Sequence, residues 1–387
     1  MPTHAGPNTL GEEHLVFSYD LSDQRNSYLG EPTTNLANTT PLYGGWPGSY
    51  TLIDGTTKTF DFTTSSVEWG GVAAWTTYYY NVSEYTGQYV TISAVVESFD
   101  ETRGVFSFMW IGQTVDEEVY LGYSPEQDRN VKTTKTRERI SWSGVIGTGG
   151  KVGITIWMNN GNGGTSGGIK VRFSNLQVEV KSHPTPFVNG TRSVTQGLLP
   201  LISNTSINLS SVSFDSNAQM VFDGTDDTIS VSSNSAMELV DNVSIEYVYM
   251  RLSTDSILDV IANKYHNTGW ELFCTTANTF ALAGRNGDGT YYSTSNAAYT
   301  IQNNTYYHLV AIKEGLSWRL YVNGELYASL TANSIGTWSN TGILQIGGEG
   351  AGYFPNMKLP VLKIYNRVLT ASEISRNFNA IKSRFNI

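Results

Sequence analysis

"PTPFVNGTRS", residues 184–193, decides the architecture of this chain. Two prolines and a glycine deny it a helix or a central strand. It stands near the middle of 387 residues, a length that accommodates two domains better than one core. It is either a linker between tandem domains or the place where an interrupted domain resumes. The segments on either side discriminate between the two.

N-terminal to it, residues 35–181 read as one self-contained run of strands. "QYVTISAVVES" (88–98) places Val90, Ile92, Ala94 and Val96 on one side, and "KVGITIWM" (151–158) alternates Val152, Ile154, Ile156 and Met158. "GIKVRFSNLQVEVK" (168–181) alternates too, but its phase slips between Phe173 and Leu176, which predicts a β-bulge near Ser174-Asn175. "NNGNGGTSGG" (159–168) reads as a hairpin loop. About 150 residues with frequent turns is the size of one β-sandwich. Further upstream, "LVFSYDL" (15–21) is a lone half-buried strand.

C-terminal to it a second β-rich block begins. "FDGTDDTISV" (222–231) reads as strand, turn, strand. "SWRLYVNGELYASL" (317–330) is a hairpin whose Asn323-Gly324 suits a type I′ turn, and "KLPVLKIYNR" (358–367) is a further strand. One helix is predicted, from about Ala371 to Phe385: Thr370 and Glu373 form a capping box, and Ile374, Phe378, Ile381 and Phe385 make one apolar stripe.

Composition agrees with an all-β protein. The chain has 12% aromatic residues, 38 Gly and only 15% charged residues. Its net charge of −10, without a basic run, gives no footprint for nucleic acid or anionic lipid. No apolar stretch is long enough for a membrane-spanning helix, and "MPTHAGPNTLGEEH" lacks the pattern of a secretory signal. Cys274 is alone, which excludes an internal disulfide and fits a reducing compartment; it is expected to be buried and inert.

Four C-terminal pieces carry a resemblance: "MVFDGTDDTISV" (220–231), "YYHLVAIKEGLSWRLYVNGELYASL" (306–330), "LQIGGEG" (344–350) and "LKIYNRVLTASEISRNFNAIKSRF" (362–385). In this order they resemble laminin-G-like, concanavalin A-like jelly rolls. Such domains usually lay their first strand beside their last, and "HLVFSYDLSDQRNSYLG" (14–30) looks like that opening strand and its loop. The resemblance therefore implies an insertion. Residues 14–30 and 191–387 would form the jelly roll, 31–182 an inserted sandwich similar to galactose-binding-like carbohydrate-binding modules, and 183–190 the re-entry linker. Insertion is tolerated where loop ends are close and exposed. The expected fold is all-β: two antiparallel sandwiches, one inside the first loop of the other, with a short C-terminal helix.

"FSNLQVEVKSHPTPFVNGTRS" and "MPTHAGPN...HLVFSYDL" also resemble segments of bacteriophage virion structural proteins. That resemblance implies a capsid decoration, head fibre or tail-associated protein, assembled in the host bacterial cytoplasm and arrayed or oligomeric. Its partners would be other virion proteins, reached through the Gly/Pro-rich arm of residues 1–13, and host polysaccharide. A free or tail-borne glycan-binding adhesin is the alternative.

Catalytic residues are not expected. Concanavalin A-like glycosidases carry alternating acids, E-x-D-x-x-E, on one strand, and no such strand occurs. Glu246 in "SIEYVYM" is expected at a rim or facing solvent, and "DEEV" (116–119) puts adjacent acids on opposite faces. The five histidines are scattered without metal-ligand spacing. "DGTDD" reads as a tight turn, while Asp223, Asp226 and Asp227 also make it a candidate Ca²⁺ site; no other cofactor is expected. Aromatics are the positive lead. "VEWGGVAAWTTYYYN" (67–81) holds Trp69, Trp75, Tyr78, Tyr79 and Tyr80, and Trp270 and Tyr291-Tyr292 are similar candidates. Sugars stack on exposed rings; core packing or a protein interface are the competing uses of the same residues.

Overall fold

A computed structural model describes residues 14–38, 42–45, 51–54, 59–61, 74–98, 106–113, 137–148, 150–159, 171–201, 205–215, 219–239, 241–253, 258–266, 268–285, 289–295, 300–333, 338, 341–349 and 352–387. The arm 1–13, "DEEV" and all but the first residue of "NNGNGGTSGG" lie outside them. The fold is all-β with a short C-terminal helix, and one unit interrupts the other. Residues 1–31 and 194–387 make one compact unit, and residues 32–193 make the second.

The interrupted unit is a sandwich of an eight-stranded and a seven-stranded antiparallel sheet. Its first strand, Leu15–Asp20, pairs with its last, Asn356–Tyr365, in the register Phe17↔Ile364 and Asp20↔Val361. Phe17 and Tyr19 point into the core and are fully buried. The two chain passages are tied together within this unit. Tyr28 bridges Leu198, Leu29 N donates to Gly197 O at 2.9 Å and Leu199 N donates to Ser27 O at 2.8 Å. Residues 28 and 198 are thus neighbours although the whole insertion separates them.

"FDGTDDTISV" forms its two strands, but they go to different sheets. Met220–Asp223 joins the eight-stranded sheet and Ile229–Val231 the seven-stranded one, so the Asp-rich turn is a crossing between layers. The hairpin is as expected: Asn323 and Gly324 both have positive φ, +50° and +85°, which a type I′ turn requires. Its inward residues Trp318, Leu320 and Val322 are buried. The helix Ala371–Phe385 has the full capping box, worth about 1 kcal/mol.

That helix covers the outer face of the eight-stranded sheet over a buried polar cluster. Glu246 is 1% exposed, which corrects the expected rim or solvent position. His308 Nε2 lies 2.9 Å from its Oε1. Tyr365 Oη and Asn377 Nδ2 donate to Oε2 at 2.9 and 3.0 Å, and Lys363 Nζ lies 3.9 Å away. No local signal announces this burial, because the strand residue faces a helix that arrives 131 positions later.

The inserted unit, taken by itself, has a four-stranded and a five-stranded antiparallel sheet and a two-stranded ribbon of Thr33–Thr34 with Thr191–Arg192. Val90, Ile92, Ala94, Val152, Leu176 and Val178 form its core. The register of Val171–Glu179 slips between Ser174 and Gln177, and Asn175 adopts φ +54° at that point. "PTPFVNGTRS" belongs to this unit and is no loose linker. Thr185 is fully buried, its N–H and Oγ1 donate to the Glu179 carboxylate at 2.8 and 2.7 Å, and Arg192 donates to Pro186 O at 2.8 Å. Around Pro184 and Pro186 the prolines exclude a ladder, so the backbone there is satisfied by side chains until Thr191–Arg192 pairs with Thr33–Thr34.

Excision is therefore expected to be tolerated and truncation not. Joining Glu31 to Val194 through two glycines should give a cooperatively unfolding domain by circular dichroism. The same domain started at Val194 loses Phe17 and Tyr19 from its core and should not fold.

Candidate functional site

The outer face of the seven-stranded sheet carries a row of outward polar groups among the described residues. Directly paired residues share a face in an antiparallel sheet. The registers Asn208↔Ser230, Ser230↔Gln345, Gln345↔Asn263 and Asn263↔Glu271 therefore line five polar side chains across five adjacent strands. At ~4.8 Å per strand the row is roughly 19 Å long. Core residues occupy the other face of the same strands: Val231, Leu344, Ala262 and Leu272 are fully buried.

The strand Thr268–Cys274 shows how the pattern arises. In "TGWELFC", Trp270, Leu272 and Cys274 face the core and Glu271 faces out. The row continues through Ala283 to Ser293. One step along the strands, Arg285 pairs with Tyr291, whose ring is 45% exposed with the guanidinium 5.6 Å from its centroid. At the other side of the row the chain folds back over the sheet. Gly347 and Gly348 N–H groups donate to Ile261 O and Val260 O, and Asn263 Nδ2 donates to Gly348 O at 3.0 Å. Asn263 and Glu271 are buried beneath this edge, whereas Asn208, Ser230 and Gln345 stay half-buried. We read this face as a candidate binding groove, covered near Gly347-Gly348 and bordered by Tyr291.

Glu271 is the chemically distinctive member. Burial raises its pKa to about 7, the charge of Glu349 adds to the rise, and Arg285 opposes it. Sequence reading missed both acids because their meeting depends on the fold-back at Gly347-Gly348. The usable signal was one acid alone among apolar residues in "GWELFC".

The expected site residues separate under the structure. Trp270 is fully buried in the sandwich core and Tyr80 is 3% exposed in the core of the inserted unit, so neither offers a stacking face. Both lie on the inward phase of their strands, which the flanking polar residues did not disclose. Tyr79, on the opposite phase, is half-buried, with Lys151 Nζ 5.2 Å above its ring. Tyr291 is exposed, while Tyr292 turns inward onto Trp318, ring centroids 5.6 Å apart. Trp75 and Tyr78 lie on the strand Ala74–Asn81, their side chains outside the described residues, as is Trp69 altogether.

Asp223, Asp226 and Asp227 do converge, with carboxylate oxygens within 4.8 Å of one another. Asp227 accepts from Asp223 N at 2.9 Å and Asp223 accepts from Thr225 N at 2.8 Å. Burial and then the two neighbouring carboxylates raise the Asp227 pKa, although the Asp223 N–H opposes them. Three carboxylates suit a hard cation, and the two backbone hydrogen bonds are those of a tight turn. Cys274 is buried, 3.2 Å from Tyr249 Oη, its pKa pushed up to about 12 by burial.

Residues 223–375 match the family model of the concanavalin A-like lectin/glucanases superfamily. They are the greater part of the interrupted unit. Among solved structures, the binding domain of Paraclostridial Mosquitocidal Protein 1 is similar at 17% identity and TM-score 0.42, over 46% of this chain and 48% of that one. The receptor binding domain of botulinum neurotoxin D is similar at 14% identity and TM-score 0.40, over 49% and 51%. The chain thus spans about half the length of these structures, and a likeness at this level carries no functional argument. No curated protein matches the chain.

The raised pKa of Glu271 makes a signed prediction. A carboxyl whose folded value exceeds its unfolded one stabilises fully below the unfolded value, here 4.5, and loses that contribution as pH rises through about 7. Glu271→Gln should flatten the decline in Tm between these pH values and raise Tm at pH 8. Calorimetry across pH 4–9 checks it.

Proposed function

We propose that this protein is a non-catalytic glycan-binding component of a bacteriophage particle. The observation that carries the binding half is the half-buried polar row of Asn208, Ser230 and Gln345 on the same sheet face as the exposed Tyr291 ring. An extended saccharide presents hydroxyls at regular intervals and axial C–H groups on its ring faces. Amides and hydroxyls spaced at the strand interval meet the first, and an aromatic rim meets the second. The fold matched by residues 223–375 is named for both lectins and glucanases, so fold alone does not choose between binding and cleavage.

Placement on a particle rests on the sequence: the resemblance of the segments around 173–193 and of the N-terminal region to phage structural proteins. A shallow groove binds weakly, and many copies on one particle would compensate through avidity. Among the described residues no helix is long and apolar enough to cross a membrane.

A second reading, glycan cleavage, is favoured by one observation. Glu271, with a pKa near 7 and a second carboxylate close by, has the character of a general acid. We take it as the lesser reading because Arg285 and Tyr291 occupy each other beside it rather than framing an open pair of acids.

Affinity electrophoresis through gels cast with bacterial surface polysaccharides tests the groove. Retardation is expected with the right polymer, lost in Tyr291→Ala and in Gln345→Ala without a change in Tm. Unaltered retardation in both removes the groove from the proposal. Reducing-end release is expected to be absent; release abolished by Glu271→Gln establishes cleavage instead. Immunogold microscopy of intact particles with antibody to this chain is expected to label head or tail, and unlabelled particles would leave only the adhesin.

A further inference from the structure

A gap opens inside the eight-stranded sheet, between two strands that share one side of its last strand, and its cause is one proline. The strand Asn356–Tyr365 is flanked on one side by two strands in turn. Leu15–Asp20 covers it down to Val361, and Met220–Asp223 covers Asn356 and Met357. Between them, Lys358, Leu359 and Pro360 have no paired strand on that side among the described residues. Pro360 has no N–H to give a ladder, and prolines in strands sit at edges and bulges for that reason. On the opposite side the register slips at the same point, between Val248 and Met250. The carbonyls that remain are used locally: Leu21 N donates to Pro360 O at 2.9 Å and Tyr19 Oη to Leu359 O at 3.0 Å.

The gap is a cavity of about 310 Å³. Met357 and Leu359 point into the core, so Lys358 and Pro360 point outward, to the face that the C-terminal helix covers. The last turn of that helix supplies Arg384 and Phe385 to the cavity wall. Phe385 packs against Tyr306 with ring centroids 5.0 Å apart and planes tilted by 57°, giving an aromatic wall. The polar wall is Lys358, Gln219, Ser22 and Gln24. Lys358 Nζ and Tyr306 Oη both donate to Gln219 Oε1, at 3.2 and 3.3 Å, which aligns the Gln219 amide.

Charge decides the class of ligand. Both cations are already matched: Lys358 Nζ lies 2.7 Å from Asp215 Oδ2, and Arg384 makes a forked pair with Asp20 at 2.8 and 2.5 Å. The cavity is balanced and has no spare positive charge for a carboxylate or phosphate. It combines an aromatic wall, amides and fixed charges whose remaining hydrogen-bonding capacity suits hydroxyls. Its volume is at the low end of small-molecule sites, roughly 300–1,000 Å³, enough for one ring and too small to bury a chain.

We propose that this cavity is a binding site for a single neutral hexose ring, distinct from the groove on the seven-stranded sheet. A chain end or a branch residue of a polysaccharide would present such a ring.

Saturation-transfer difference NMR on the full chain tests the site. The probes are methyl α-D-glucopyranoside, methyl α-D-mannopyranoside and methyl β-D-galactopyranoside, with sodium glucuronate and inorganic phosphate as anionic comparators. At least one neutral glycoside is expected to bind with Kd of order 1 mM, near −4 kcal/mol. Gln219→Ala and Gln24→Ala, both on exposed residues, should weaken it about tenfold while leaving the thermal melt unchanged. Tyr291→Ala should leave it unaltered, which separates this site from the groove. Absence of transfer from all three glycosides overturns the proposal, as does transfer that survives both variants. Tighter binding of glucuronate or phosphate overturns the neutral class and makes the cavity an anion site.

Discussion

The buried carboxylate of Glu246 is the interaction on which the interrupted unit depends. An ionised carboxylate without partners in a core costs far more than any single contact returns. Burial alone would raise its pKa, but the Lys363 charge, the His308 hydrogen bond and charge, and the Tyr365 hydroxyl hold it down at about 2. The donors come from neighbouring strands and, through Asn377, from the helix. Removing one of them leaves an uncompensated charge, so strands and helix are committed together. Lys363 also stands opposite Ser18 in the ladder with the first strand, so the strand from before the insertion lies beside this cluster.

This anchoring fixes the position of the helix. It is held over one face of the eight-stranded sheet by Ile374 and Ile381 below it and by His308, whose ring stacks on Phe378 at 5.9 Å. Its last turn therefore arrives at the gap made by Pro360, with Arg384 drawn to Asp20. The other sheet is left free of the helix. Its outer face keeps the half-buried polar row of Asn208, Ser230 and Gln345, next to a small buried apolar cluster of Val260, Phe273, Ala281 and Ala283. The two outer faces thus have different fates: one is covered by the helix and interrupted by a small cavity, the other is covered only in part and leaves Asn208, Ser230, Gln345 and Tyr291 accessible.

The inserted unit shows the complementary rule. Its return segment has no ladder between Pro184 and Val188, so Glu179, Gln177 and Asn35 supply the hydrogen bonds that a strand would otherwise make there. Asn35 alone donates to Leu176 O and Val188 O and accepts from the N–H groups of Ala37 and Val178. The passages of the chain are closed by backbone bonds around Tyr28 and Leu198 in the interrupted unit and largely by side chains around Asn35 and Thr185 in the inserted one.

The sequence by itself determined the local elements and the class of fold. Alternation marked the strands around Ile92, Val152 and Val178, Asn323-Gly324 marked a turn with positive φ, and Thr370 with Glu373 marked the helix start. These are properties of neighbouring residues, set by sterics and hydrogen bonds over a few positions. The insertion was legible only through the likeness of residues 14–30 to an opening strand, since nothing local says which strand it pairs with. Tertiary structure decided the sites. It buried Trp270 and Tyr80, which composition could not distinguish from exposed rings, and it left Tyr291 outside. It placed Glu246 under a helix, brought Glu349 to Glu271, and opened the sheet at Pro360. Burial and long-range pairing set each of these, because a side chain's environment is fixed by elements distant in sequence rather than by its neighbours.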